Sequence, residues 1–331
     1  MQSEKAKTLR NLTIGTVNLN SRVVLAPMAD FTDTVLRSLV RKESKNCLLM
    51  SEMVSSQSLK YNNQQGITDY NEAEFPLSFQ ISGHIPEIMA EAAQKLEDKA
   101  TFIDINMGCP APKIVKNFDG VRLMTDLSLA SHIITAVKNS VKIPVTVKCR
   151  LGWDCNTKNY LEFAKMAESS GADAIIIHGR TRSQMYSGDA DWHAIAQVKQ
   201  AVNIPVIGNG DIDSPEKAGE CLQISGCDGI AVGRGILGDP GLIARIETYI
   251  EAGKIEPPPE LEKRLKTALI HCQNEVEYRG EEAGIKHMRK FFAYYVKNIR
   301  NAGQYRFKLV RCITLEEVEK TFNEISGSRC G

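Results

Sequence analysis

No stretch of this 331-residue chain approaches the run of about 18 apolar residues that a membrane span requires, and its first ten residues, MQSEKAKTLR, lack the apolar core of an export signal. None of the nine cysteines forms a CxxC pair, and their number is odd, which argues against a zinc ribbon or a disulfide framework. The expected address is the reducing cytoplasm, with no membrane contact. Surplus charge is absent too: 41 Lys and Arg against 40 Asp and Glu leave +1, so a polyanionic partner must be met by a local patch. Hydrophobic residues at 43% and charged residues at 24% are globular averages, which sets aside disorder and collagen-like repeats. The length fits one large α/β barrel with an appendage, or two ordinary domains.

Eight short apolar runs bounded by Gly, Pro, Asn or Asp read as strands: 23–28, 48–53, 77–81, 102–106, 145–149, 174–179, 206–210 and 229–234. Longer amphipathic segments separate them. The stretch 86–98 opens on Pro86, and 159–170 ends at Gly171. Strand starts lie 23 to 43 residues apart, the repeat of a βα unit, and eight such units predict a TIM (β/α)8 barrel of about 250 residues. After the Pro257-Pro258-Pro259 break, helical periodicity runs on without strand signals. The expected division is therefore a barrel over 1–254 and an all-helical domain over 255–331, with the terminal SGSRCG frayed.

In this fold the C-terminal strand ends carry the site. Gly208-Asn209-Gly210-Asp211 and Gly233-Arg234-Gly235 end the seventh and eighth strands, where backbone N–H groups of glycine-rich loops receive phosphate. Lys148 and His178 end the fifth and sixth, and both should point over the mouth. A lysine there suits the pyrimidine edge of a flavin or, alternatively, a Schiff base. Cys109 follows the fourth strand in Asn106-Met107-Gly108-Cys109-Pro110; a mostly protonated thiol there serves as proton donor or nucleophile. Cys47, Cys221, Cys227 and Cys272 read as inert and buried, and Cys149 as packed outward against helices. Between Ala283 and Thr314 stand eight basic residues and no acidic one, interleaved with six aromatics. That stretch is either a nucleic-acid surface or a solvated face over an aromatic core.

These residues resemble the tRNA-dihydrouridine synthases, a bacterial type of FMN-dependent enzyme. The resemblance rests on APMADFTD (26–33), SEM (51–53), Gln80, DINMGCPAPKIVK (104–116), VKCRLGWD (147–154), HGRTRSQMYSGDADW (178–192), GNGDI (208–212), VGRG (232–235) and HMRK (287–290). It implies an NADPH-driven reduction of a D-loop uridine in tRNA to 5,6-dihydrouridine, with no protein partner required and no metal. It further implies that Pro27, Met28, Ala29, Gln80, Lys148, His178, Asn209, Gly210, Asp211, Gly233 and Arg234 bind FMN. Cys109 then protonates carbon 5 as hydride reaches carbon 6, Asn106 holds the base, and Lys286 and Arg289 hold the tRNA. The chain departs from the family pattern at Asp30-Phe31, and at Phe118, Val121 and Arg122, where added bulk is expected to reshape the loop behind Cys109. The helix HMRKFFAYY lacks a usual His and Trp. Two other readings stay open at this point: an FMN barrel acting on a small molecule, and a tRNA-binding protein whose barrel has lost catalysis.

Overall fold

The computed structural model describes residues 11–61 and 66–327. The expectation placed on residues 1–10 lies outside this range, as does most of the expected frayed tail; Ser326 and Gly327, expected in that tail, instead belong to the last helix. The chain opens with a hairpin that sequence patterning missed, β1 (Leu12–Ile14) and β2 (Val17–Leu19). Eight parallel strands follow: β3 (Val23–Leu25), β4 (Leu48–Ser55), β5 (Leu77–Ser82), β6 (Phe102–Met107), β7 (Val145–Cys149), β8 (Ala174–His178), β9 (Val206–Asn209) and β10 (Gly229–Val232). They pair in sequence order, and β10 closes on β3. All eight expected strands are present, with the ends drawn at 28 and 234 trimmed to Leu25 and Val232.

Between the strands run α1 (Thr34–Glu43), α2 (Ser56–Lys60), α3 (Pro86–Leu96), α4 (Pro112–Lys116), α5 (Leu127–Ser140), α6 (Tyr160–Ser169), α7 (Trp192–Ala201) and α8 (Pro215–Ser225). Their starts are chemically marked. Asp33, Asp126, Asp191 and Ser214 accept backbone N–H groups as N-caps, and Pro86, Pro112 and Pro215 occupy first-turn positions where no N–H is needed.

Strand alternation splits the apolar residues in two. Outward residues such as Phe79, Ile103, Val147, Cys149 and Ile177 join the helices in one large core, which confirms the outward reading of Cys149. Inward residues Val24, Leu48, Met50, Phe102, Ala174, Ile176, Ile207 and Ala231 form a second cluster with Leu12, Ile14 and Leu19 of the hairpin. A Cβ on Gly15 in the hairpin turn would touch Asp173 and Pro144 at 3.0 to 3.1 Å, just before β8 and β7 begin. The hairpin therefore plugs the N-terminal end of the barrel. Toward the other end the inward positions turn polar: Gln80, Asp104, Asn106, Thr146, Lys148, His178 and Asn209.

Beyond α9 (Leu242–Ala252), capped by left-handed Gly253, lie α10 (Leu261–Arg279), α11 (Glu281–Tyr295), α12 (Ala302–Leu309) and α13 (Leu315–Gly327), with no strand among the described residues. Of these, α10 and α11 dock on the loop after β3. Asp33 Oδ2 accepts from Arg279 Nη2 at 2.7 Å and His287 Nε2 at 3.0 Å, Arg279 Nε also donates to Glu275 at 2.7 Å, and Lys290 Nζ meets the carbonyl of Asp30. Phe31 packs edge-on against Phe291, with ring centroids 5.3 Å apart. The departures at Asp30-Phe31 thus belong to this junction, and His287 and Lys290 of the HMRK segment are spent on it.

Candidate active site

A chain of hydrogen bonds climbs the inside of the barrel to its mouth. Thr146 Oγ1 and Gln80 Nε2 donate to the two oxygens of Asp104 at 2.5 and 2.7 Å, and Asn106 Nδ2 donates to Gln80 Oε1 at 2.7 Å. Asn106 Oδ1 in turn accepts the backbone N–H of Cys109 at 3.0 Å. The three side-chain links are buried and the last, to the Cys109 N–H, is part-buried, and the chain fixes the rotamers of Gln80 and Asn106. Burial pushes the Asp104 carboxyl up to about 7, against the pull of its hydrogen bonds and of Lys148.

Cys109 sits half-buried at the top of this chain. Burial raises its thiol above the ordinary value, against backbone hydrogen bonding and the nearby Arg150 and Lys148 cations, so it stays protonated at neutral pH. Gly120 closes over it: at φ +62°, a Cβ there would lie 2.6 Å from the Cys109 carbonyl oxygen. The bulk expected to reshape this loop is directed away. Val121 is buried in the outer core with its N–H on the Cys109 carbonyl at 3.1 Å, while Phe118 is 53% exposed.

Lys148 donates to Asn209 Oδ1 at 3.1 Å, and Asn209 Nδ2 donates to the Ala231 carbonyl at 2.7 Å, linking β7, β9 and β10. Burial, with the neighbouring Arg150 charge, lowers the Lys148 ammonium to about 8. His178 is held neutral, well below its ordinary value, by burial and then by repulsion from Lys148, Arg150, Arg180 and Arg234. Its Nδ1 is buried with no hydrogen-bond partner. Gly210, at φ +120°, lies against His178 and Ala190, where a Cβ would come 2.7 Å from Ala190. Around Gly233 the space is open, with nothing nearer to a Cβ than Met28 sulfur at 3.8 Å. Pro27 and Met28 are half-buried, Ala29 is exposed, and Arg234 is exposed with its guanidinium 4.0 Å over the Tyr186 ring.

Asp211 Oδ2 accepts from Arg180 Nη2 and from the Ala190 N–H, both at 2.7 Å. Arg150, which the sequence places with Lys148 at a strand end but gives no role, donates to Gly108 O at 3.1 Å, Thr181 O at 2.8 Å and Met185 O at 2.9 Å. It clamps the Cys109 loop to the HGRTR loop. Its signal was its place two residues beyond Lys148, one strand repeat further along the inward row.

The basic tail divides between its two readings. Phe291, Phe292 and Tyr295 are wholly buried core, whereas Phe307 is 56% exposed. Lys286, Lys297, Arg300, Arg306, Lys308 and Arg311 face solvent, and half-buried Arg289 reaches the Cys312 carbonyl at 3.4 Å. No helix of the described residues is long and apolar enough to cross a membrane.

Residues 24–328 match the family described as dihydrouridine synthase (Dus). A probable tRNA-dihydrouridine synthase of Rickettsia bellii is 43% identical over 299 residues, 89% of this chain and 91% of that protein. The tRNA-dihydrouridine synthase B of Pseudomonas aeruginosa is 38% identical over 301 residues, 90% of each chain. Among solved structures the barrel resembles an old yellow enzyme homologue from Zymomonas mobilis, with TM-score 0.52, 12% identity, 78% of this chain and 96% of that one. It also resembles a histamine dehydrogenase from Rhizobium sp. 4-9, with TM-score 0.61, 13% identity and 81% of this chain, although the chain spans only 51% of that protein. Those two likenesses concern the fold alone. With the match running through the Cys109 loop, the strand-end glycines and the helices beyond them, the chain belongs to the dihydrouridine synthase family and is an enzyme of it.

Proposed function

We propose that this protein is a tRNA-dihydrouridine synthase that holds FMN in the barrel mouth, draws reducing equivalents from NADPH and reduces a D-loop uridine of tRNA. The observation that carries the reading is the protonated, half-buried Cys109 thiol held at the mouth, with Lys148 and the strand-end glycines in the same mouth.

The residues present fit FMN. Neutral His178 offers an unpartnered buried nitrogen, open backbone around Gly233 and tight backbone at Gly210 suit a phosphate, and Lys148 suits a flavin ring whose reduced form is anionic. Pro27, Met28, Ala29, Gln80, Asn209, Gly210, Asp211, Gly233 and Arg234 complete this binding set. When bound and reduced, the flavin supplies the hydride that carbon 6 of uracil accepts.

Cys109 gives its proton to carbon 5, so hydride and proton together saturate the C5–C6 double bond and a thiolate remains. Protonation in step with hydride arrival avoids a free enolate, which is what a positioned general acid contributes. Asn106 orients both the Cys109 loop and the base. Because the uridine lies within folded tRNA, it must be extruded into the mouth, at a cost of a few kcal/mol. The helices of 255–331, with Lys286 and Arg289, offset this cost by holding the tRNA backbone. The enzyme works in the cytoplasm and needs no protein partner.

The test is dihydrouridine mapping in tRNA from cells with and without the gene. Loss of the reduced base at one D-loop position supports the reading, and an unchanged map overturns it.

A further inference from the structure

Beside the Cys109 loop, four side chains alternate ring and cation across the rim. The Arg122 guanidinium lies 4.9 Å from the centroid of Phe118 and 5.2 Å from that of Trp153, and Arg182 lies 4.7 Å from the Trp153 ring centroid as well. The row borders a groove of about 410 Å³ lined by Arg122, Trp153, Lys158 and Asn159 with Asp154 and Thr157, within the size range of ligand clefts. Asp154 is the acidic member, and its Oδ1 is engaged by the N–H groups of Asn156 and Thr157 at 2.9 Å. Lys113 and Lys116 add positive charge on the short helix leading into the loop.

Phe118 is the odd residue in this row. It adopts φ +64°, a left-handed conformation rare for a bulky side chain, yet its ring stands 53% exposed. Packing within the protein therefore gives little return for the strained backbone. The loop is nevertheless firmly held. His84 Nδ1 pairs with Asp119 Oδ1 at 2.8 Å, the Phe118 N–H bonds Val115 O at 3.2 Å, and the Val121 N–H bonds the Cys109 carbonyl at 3.1 Å. Phe118 and Arg122 are also two of the positions where the sequence departs from the family pattern.

Resting on the proposed function, we propose that Phe118, Arg122, Trp153 and Arg182 form a stacking platform for unpaired nucleotides of the tRNA next to the target uridine. A nucleotide is the occupant this chemistry fits: the exposed Phe118 ring, with the half-buried Trp153 ring and the guanidinium planes beside it, takes base faces of any sequence, and the surrounding lysines take phosphate. Because Gly120 and Val121 tie the same loop to Cys109, a base seated on the platform sets the register in which its neighbour enters the mouth. The platform thus helps select which uridine is reduced.

The experiment uses the full-length, flavin-loaded protein and unmodified tRNA transcript, comparing the parent protein with Phe118→Asn, Phe118→Tyr and Arg122→Ser. Asn tolerates the left-handed backbone, so Phe118→Asn removes the ring without adding strain. Flavin content and melting temperature report folding. Phe118→Asn is expected to weaken tRNA binding and raise KM for tRNA about tenfold to a hundredfold, the scale of one base–aromatic stack. Phe118→Tyr is expected to bind as the parent does, and Arg122→Ser to raise KM for tRNA in the same direction as Phe118→Asn. If the parent binds tRNA and all three variants bind it equally, the platform is overturned while the proposed function stands. If the effect falls on KM for NADPH instead, the platform is likewise overturned as an RNA site. If the parent itself neither binds nor reduces tRNA, the proposed function fails, and the platform with it.

Discussion

Asn106 and Cys109 are joined through the backbone: the Asn106 Oδ1 accepts the Cys109 N–H at 3.0 Å, while its own amide donates to Gln80 at 2.7 Å. The position of the thiol is thus set by a buried chain that starts at Asp104. Replacing Asn106 with Ala leaves the Cys109 N–H and Gln80 Oε1 without partners, at about 1–3 kcal/mol for each group left buried. Turnover is expected to fall with flavin retained; wild-type kcat in single-turnover assays on tRNA would show that the chain does not position the thiol.

Cys109→Ala should keep flavin and tRNA binding while losing most of its dihydrouridine-forming rate, because a positioned general acid typically supplies about 10²–10⁴ in rate. Retention of parental turnover would remove Cys109 from the proton-donor role.

Asp104 and Lys148 give the fold a pH signature. The folded chain releases the Asp104 proton near 7, the unfolded chain near the ordinary 3.8, so between these values the folded state binds more protons and stability falls as pH rises. Lys148 acts in the next window. Its folded value of about 8 lies below the ordinary 10.5, so the unfolded state binds more protons there, and stability recovers as pH climbs. Denaturant titrations should show a shallow minimum between about pH 7 and 8, with a drop on the order of a few kcal/mol from pH 4. Asp104→Asn should reduce the acid-side slope, leaving the share of Glu275, which burial also raises to about 7, and an unaltered slope in that variant would assign it to another group.

On α11, Lys286 faces solvent and Arg289 is half-buried. Replacing both by Ala is expected to weaken tRNA binding at low salt and to flatten its salt dependence by roughly one unit for each phosphate no longer neutralised. An unchanged slope would place the RNA on another face.

Gly120 at φ +62° leaves no room for a methyl group beside the Cys109 carbonyl. Gly120→Ala should displace the thiol and lower kcat by up to about 10², the effect of a misplacement near 1 Å, with little change in flavin content. A crystal structure of the variant with Cys109 unmoved would refute this.

The barrel was legible because its strands are short, β-branched and evenly spaced, and because parallel strands buried on both faces leave an unbroken apolar run. The strand-end residues were legible for the same reason: Lys148, His178 and Asn209 each lie at the end of a strand, so counting residues placed them. The hairpin of Leu12–Ile14 and Val17–Leu19 was not, since two three-residue strands carry too little periodicity to register. The side-chain commitments of Asp211 and His287 were hidden for another reason. Each sits in a recognisable motif, yet its side chain is committed to a partner 31 or 254 positions away, Arg180 or Asp33. Such long-range pairings leave no trace in local pattern.

The hairpin plug makes the barrel a room with one door. Leu12, Ile14 and Leu19 seal the far end, so whatever is loaded, reduced and discharged passes through the rim where Cys109 and Lys148 stand. On the proposed reading, nicotinamide and tRNA must take turns at that door. The expected kinetic form is then an alternation of half-reactions, in which each visitor leaves before the next arrives and excess of either obstructs the other.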